Sequence, residues 1–284
     1  MAYRQLKKEP NLRGIAASAV ANGEVTNRGT HYATFLQCLD SNGVPLTRTE
    51  ILADLGDIVV RINGEQYVDA TADLLLDLQK FYGDADNAGN VDGIVPIYWE
   101  RPKLATFQER SIFALGSENM DSFTIDAKVD AVNVLSSIEV FSQVTPERRR
   151  IGQHVRISKF PQSFASTGVQ EITTLPKEGD DVAYLAMHIQ IPSGSDITEV
   201  TCKLGGNDIF DEVSDELNQV LLERSGRVPQ SGYFHVSFDM SNDIAGMIPM
   251  AGVKDWRQQI TWATQAPSNF NIFTERIFGL NVRK

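Results

Sequence analysis

The densest set of ligand-type side chains lies between Gly83 and Gly93, where Asp84, Asp86, Asn90 and Asp92 fall close together. Carboxylate and amide oxygens are hard donors, so this segment is a candidate calcium loop. It starts like a helix-loop-helix calcium motif. However, Ala88 stands where a third acidic ligand belongs, Val95 stands where the closing Glu belongs, and a strand pattern follows in place of a second helix. That excludes the motif and leaves a structural calcium whose remaining ligands would come from elsewhere, such as a neighbouring subunit. Other reactive residues are scattered. His31, His154, His188 and His235 show no zinc-type spacing and no His-x-His pair. Cys38 and Cys202 make neither a metal cluster nor a disulfide framework and read as buried free thiols, consistent with folding in a reducing cytoplasm. A nucleophile needs a base within hydrogen-bond reach, and no elbow around Ser or Cys suggests one. Phosphate-loop and dinucleotide fingerprints are absent too. The sequence therefore predicts no catalytic residues and no required cofactor.

Charge narrows the partners. The 284 residues carry a net charge of −11, which argues against a surface that wraps nucleic acid. The one dense basic run, Arg148-Arg149-Arg150 after Pro146, reads as solvated or intersubunit. Met1 to Pro10 lacks the apolar stretch of a secretory signal, and no run of 18 apolar residues could span a bilayer, so the chain is expected to be soluble when made.

The elements that would position these residues are mostly short strands. Ile58 to Ile62 is β-branched, and Phe123 to Val129 alternates apolar with polar as a half-buried strand does. Val134 to Phe141, Val155 to Ile157, Glu171 to Leu175, Tyr184 to Ile191, Val200 to Leu204 and Gln259 to Trp262 continue the pattern. Asn22-Gly23, Asn42-Gly43 and Asn63-Gly64 read as tight turns. Two helices interrupt the strands. One carries the stripe Leu74, Leu75, Leu78, Phe81 and Tyr82 between a capping Asp69 and a closing Gly83. The other carries Val213, Leu217, Val220 and Leu221 behind Asp211 or Ser214, with Gly226 after it.

These pieces repeat. Asp57 to Ile62, Asn63-Gly64 and Tyr67-Val68 have a counterpart 142 positions later in Glu199 to Leu204, Gly205-Gly206 and Ile209-Phe210. At that shift Asp69 falls on Asp211, Leu75 on Leu217 and Leu78 on Val220. Gly93 to Trp99 then falls on Gly232 to Phe238. Internal repetition decides architecture before any residue is given a role. A chain of this length can hold two cores. The reading is all-β: two tandem jelly-roll β-sandwiches, residues 1–144 with an amino-terminal arm and residues 145–284, each with a short helical insertion. The junction is placed in Ser142 to Glu147, and the connections Ala85 to Asp92 and Asp239 to Pro249 are candidate exposed crowns.

The order of pieces resembles the double jelly-roll major capsid proteins of tailless, membrane-containing icosahedral bacterial viruses, nearest the corticovirus type. The resembling segments include Asn11 to Ala16, Ile58 to Gly83, Gly93 to Pro102 and Asp121 to Ile125. In the second half they include Arg149 to Gly152, Glu171 to Pro176 and Ala186 to Ile189. The resemblance implies a virion coat protein whose homotrimers, pseudo-hexameric in outline, tile a shell around an internal membrane, beside other capsid and vertex proteins. It also raises the expectation of calcium. With a membrane implied, Arg4, Lys7 and Lys8 become candidates for an arm facing anionic headgroups. A different class of function, a carbohydrate- or receptor-binding β-sandwich, would display clustered exposed aromatics. Trp99, Trp256 and Trp262 sit instead in or beside predicted strands.

Overall fold

The computed structural model describes residues 3–83, 93–101, 104, 111–164, 167–177, 179–240, 242, 244–263 and 269–280. The chain divides into two compact units, Met1–Ile157 and Ser158–Lys284. The first contains β1 (Gln5–Lys8), β2 (Ala19–Glu24), β3 (Thr30–Leu39), α1 (Arg48–Asp54), β4 (Leu55–Ile62), β5 (Glu65–Thr71), α2 (Ala72–Phe81), β6 (Ile94–Tyr98), β7 (Leu115–Gly116), β8 (Phe123–Val129) and β9 (Ser137–Thr145). Strand β10 (His154–Gln162) runs across the division. The second unit continues with β11 (Gly168–Ile172), β12 (Ala183–Gln190), β13 (Ile197–Leu204), β14 (Asn207–Ser214), α3 (Asp215–Arg224), β15 (Tyr233–Ser237), β16 (Ile248–Pro249), β17 (Trp256–Trp262) and β18 (Phe270–Phe278).

The strands are wired identically in both units. One sheet of the first runs β1-β9-β3-β6, with β7 beside β3; its counterpart in the second runs β10-β18-β12-β15, with β16 beside β12. The other sheet runs β2-β8-β4-β5 in the first and β11-β17-β13-β14 in the second. Each unit is thus a jelly roll, with its helix inserted at the same step, after the fifth of these strands. Local chemistry explains the match. Asn63-Gly64 and Gly205-Gly206 both adopt positive φ, which the tight hairpins β4–β5 and β13–β14 need for their strands to twist together. Strand β8 buries Phe123, Ile125, Ala127 and Val129 on one face, as its period of two demands. In the second unit Met187, Ile189, Phe234, Val236, Trp256, Ile260 and Ile272 fill the space between the sheets.

Several expectations are corrected. Asn22-Gly23 is not a turn but part of β2, paired with Asp126 and Ile125, and a side chain at Gly23 would run into Leu12. Asp69 lies within β5, and α2 is capped instead by Thr71, whose hydroxyl accepts from Leu74 N at 3.2 Å. A further helix, α1, is present. Its capping box of Thr47 and Glu50 was the available sequence signal. Strand β9 continues through Ser142 to Thr145, and the irregular link to β10 begins at Pro146, within the expected junction. Residues 145–157 pack with the first unit: the Arg149 guanidinium donates to the carbonyls of Ser111 and Ala114, and Thr30 Oγ1 donates to the Glu147 carbonyl at 2.8 Å. The stripe expected on α3 is the largest departure. Asn218 and Leu222 are its buried residues, while Leu217 and Val220 are 49% and 61% exposed.

Candidate assembly surfaces

The amino-terminal arm is a strand of its own chain. Strand β1 pairs antiparallel with β9, Gln5 opposite Val144 and Lys8 opposite Phe141. Arg4 is latched rather than free: its guanidinium grips both carboxylate oxygens of Glu100 at 2.6 and 2.7 Å and lies 4.1 Å from the centre of the Tyr32 ring. Such a two-pronged geometry is the strong form of the Arg–carboxylate bond. Lys8 pairs with Glu139 at 2.6 Å. Alternation along the strand leaves Leu6 and Lys8 exposed, with Gln5 and Lys7 half-buried. Two of the three cations expected on this arm are therefore neutralised locally, and Tyr3 and Leu6 are its exposed apolar side chains.

Asp84, Asp86, Asn90 and Asp92 lie outside the described residues. Among the described residues no group of three or more His, Cys, Asp or Glu side chains has the geometry to hold a metal ion. The segment expected to form a second crown, Asp239 to Pro249, begins buried: Asp239 accepts from Arg227 Nη2 at 2.5 Å and from Ser237 Oγ at 2.7 Å.

Two histidines that looked unrelated in the sequence meet across β12 and β15. His188 Nδ1 stands 2.7 Å from His235 Nδ1, and His188 Nε2 stands 3.2 Å from Glu275 Oε1. One consistent proton arrangement has His188 Nε2–H donating to Glu275 while its Nδ1 accepts from His235 Nδ1–H. Burial holds the His235 imidazole well below the ordinary histidine range, and the neighbouring His188 adds to this. His188 and Glu275 have no surface open to solvent, so this polar chain ties strands together and offers no approach for a substrate. His31 is likewise buried and stacks edge-on against Phe123. Cys38 and Cys202 are buried free thiols, as expected, and burial pushes the Cys38 thiol up to about 12.

Trp99, Trp256 and Trp262 are all buried, so none of these indoles can stack on a sugar ring. What the surface does present is scattered apolar residues: Tyr3 and Leu6 on the arm, and Leu217, Val220 and Val228 on and after α3. Singly scattered apolar side chains of this kind are ordinary for a protein surface and do not form the concave apolar lining of a small-ligand site.

Comparison with known proteins agrees with this geometry. Residues 6–145 match the family model described as the viral coat protein P2 N-terminal domain, and residues 155–280 match the viral coat protein P2 C-terminal domain. Curated protein sequences yield no match. Among solved structures, the major capsid protein P2 from Bacteriophage PM2 is similar with a TM-score of 0.82 at 17% identity, covering 97% of each chain. The STIV MCP gives 0.70 at 11% identity over 98% of this chain and 97% of that one. PBCV-1 VP54, fitted into a reconstruction of the virophage Sputnik, gives 0.67 at 11% identity over 99% and 96%. At such identities the structures establish a shared double jelly-roll fold, and the two family models establish kinship. The chain belongs to the viral coat protein P2 family and is a corticovirus-like major capsid protein of the virion shell.

Proposed function

We propose that three copies of this chain close into a homotrimer of nearly hexagonal outline, and that these trimers tile an icosahedral shell around an internal membrane. The observation that carries the reading is the strand-for-strand identity of the two jelly rolls. A ring of three chains uses one heterologous contact three times. Two like units per chain then give that ring six comparable edges, which is the outline a closed shell needs from its commonest tile. Contacts within the trimer are expected to bury on the order of 2,000 Å² or more. Contacts between trimers, and with vertex proteins, are expected to be smaller and polar, gaining strength by repetition. The net charge of −11 supports a shell that does not itself bind the genome. Sedimentation velocity with negative-stain microscopy tests the trimer: a species of three times 31.5 kDa with a hexagonal outline is expected. A chain that stays monomeric across the concentration range would refute it.

The membrane reading is supported by the exposed Tyr3 and Leu6 beside Lys7 and Lys8. Each unpaired cation near anionic headgroups is worth about 1 kcal/mol. Since Arg4 and Lys8 are already paired with acids, the attraction would rest mainly on Lys7 and the two apolar side chains. Flotation with anionic vesicles tests it: Leu6→Ser with Lys7→Glu should abolish binding, and unchanged binding would remove the arm from the membrane. A structural calcium at Asp84, Asp86, Asn90 and Asp92 remains part of the proposal, tested by calcium titration of the chain with both Asp84 and Asp86 changed to Asn.

A further inference from the structure

The two inserted helices share a register, and one face that is apolar in the first is polar in the second. Counted from their capping residues, Thr71 and Ser214, the residues Ala72, Leu75 and Leu76 of α2 correspond to Asp215, Asn218 and Gln219 of α3. Residues three and four apart share a helix face. On α2 that face is packed away, Ala72, Leu75 and Leu76 being at most 3% exposed. On α3 the same three positions line a groove of about 410 Å³. Lys80 likewise becomes Glu223, one turn further along the groove. Packing accounts for the apolar face but not for its polar counterpart in the same fold.

The groove asks for positive charge. Among the described residues none that lines it is a Lys or Arg. Asn218 is 2% exposed; its Nδ2 donates to the His235 carbonyl at 2.9 Å, which leaves Oδ1, at the other end of the amide, without a donor. Burial raises the Asp215 carboxyl above the usual carboxylate range; the hydrogen bond from Gln219 Nε2 at 2.7 Å opposes this, and the Glu216 and Asp196 carboxylates add to it. Spacing selects the kind of cation. At 1.5 Å per residue, Asn218 lies about 4.5 Å and Glu223 about 12 Å along the helix axis from Asp215. A metal ion holds its oxygens within about 2.6 Å and cannot serve both ends. A chain of methylenes bearing ammonium groups can, since each ammonium brings N–H donors and the methylenes can lie on the Leu222 and Pro229 side chains of the lining.

We propose that the groove beside α3 binds a linear aliphatic polyamine, one ammonium group donating to Asp215 and Asn218 Oδ1 and another meeting Glu223. Every residue given a role here belongs to the groove itself. The site lies wholly within the second unit and does not depend on the trimer reading. Its counterpart in the first unit, with Ala72, Leu75, Leu76 and Lys80, offers no acceptor for such a ligand.

The test is calorimetric titration of the full chain with spermidine at physiological salt. Wild type should bind about one spermidine per chain and melt higher with it present. Asn218→Leu and Glu223→Lys restore the residues of the first unit, and each should weaken binding at least about tenfold, the loss of one charge-assisted bond. Glu223 is exposed, so Glu223→Lys reports on the site even should Asn218→Leu fold poorly. Glu118→Gln, which removes an exposed acid of the first unit, should leave binding unchanged. No saturable binding by wild type would overturn the inference. So would equal weakening by Glu118→Gln, which marks diffuse attraction to an acidic chain, or undiminished binding in Glu223→Lys. Full displacement of spermidine by an equal concentration of magnesium would make this a divalent-cation site and overturn it too.

Discussion

Removing the side chain of Asp54 should loosen the first jelly roll far more than removing any solvated acid. Asp54 closes α1 and is buried, and its carboxylate gathers four N–H groups. Oδ1 accepts from Asn133 N at 3.0 Å and Asn133 Nδ2 at 2.8 Å; Oδ2 accepts from Val134 N at 2.9 Å and Leu135 N at 2.8 Å. The clamp fixes the turn that sends the chain from β8 into β9. In Asp54→Ala the amides of Asn133 and Val134 can turn to water, since both residues are exposed, but Leu135 is buried and its N–H would be stranded. One stranded buried donor costs about 1–3 kcal/mol, and a lost charge-assisted bond about 1 more. The expected loss is about 2–4 kcal/mol, or on the order of 10 °C in the melting of this unit. Calorimetry at pH 7 measures it. The pH dependence supplies a second check. Burial alone would raise the Asp54 carboxyl, but the amides of Val134, Leu135 and Asn133 outweigh it and hold the group below the ordinary value. Its contribution is therefore complete above the unfolded carboxylate value of about 3.9 and disappears as pH falls through the lower folded value. The gap between wild type and Asp54→Asn should close on acidification. A melting point for Asp54→Ala within a degree or two of wild type at pH 7 would show that the clamp does not hold the turn.

Three further substitutions probe other parts of the scaffold. Burial pushes the His31 imidazole down to about 4, with the Glu9 carboxylate opposing and Arg28 adding. The unfolded chain then takes up this proton first, so stability is full above about 6.5 and falls by up to about 1.4 kcal/mol per pH unit down to about 4. His31→Leu should flatten that decline in urea midpoints taken at several pH values, and parallel curves would rule the mechanism out. Asp239→Ala should destabilise the second unit by about 3–5 kcal/mol, because it strands the buried Arg227 guanidinium. Arg227→Met with Asp239→Leu should recover most of that, which equilibrium unfolding can compare directly. Gly29 holds a positive φ, and a Cβ there would overlap the Thr145 carbonyl oxygen, so Gly29→Ala should yield little folded protein. Normal expression with an unaltered melt would contradict that.

Much of this architecture is legible in residues close together along the chain. Asn63-Gly64 and Gly205-Gly206 both declare hairpins, because positive φ is a local demand that few residue types meet. Phe123 to Val129 declares a strand through its alternation, and the structure begins and ends β8 at those two residues. Failures came where a distant partner decides. Asn22-Gly23 has turn chemistry but is held in a ladder by Asp126 and Ile125, more than a hundred positions away. Arg4 and Lys8 look like a free basic arm until Glu100 and Glu139 are brought against them. The His188–His235–Glu275 chain has no sequence signature, since its members come from three strands brought into register by the sheet.

Duplication, the hairpin turns at Asn63-Gly64 and Gly205-Gly206 and the placement of one helix in each half follow from the sequence itself, since these depend on residues near one another and on a shift that any reader can count. Tertiary structure alone decided which side of α3 is bare. Leu217 and Val220 are exposed on α3, which buries Asn218 and Leu222, whereas α2 buries Leu74, Leu75, Leu76 and Leu78, because burial depends on what the rest of the chain packs against each helix.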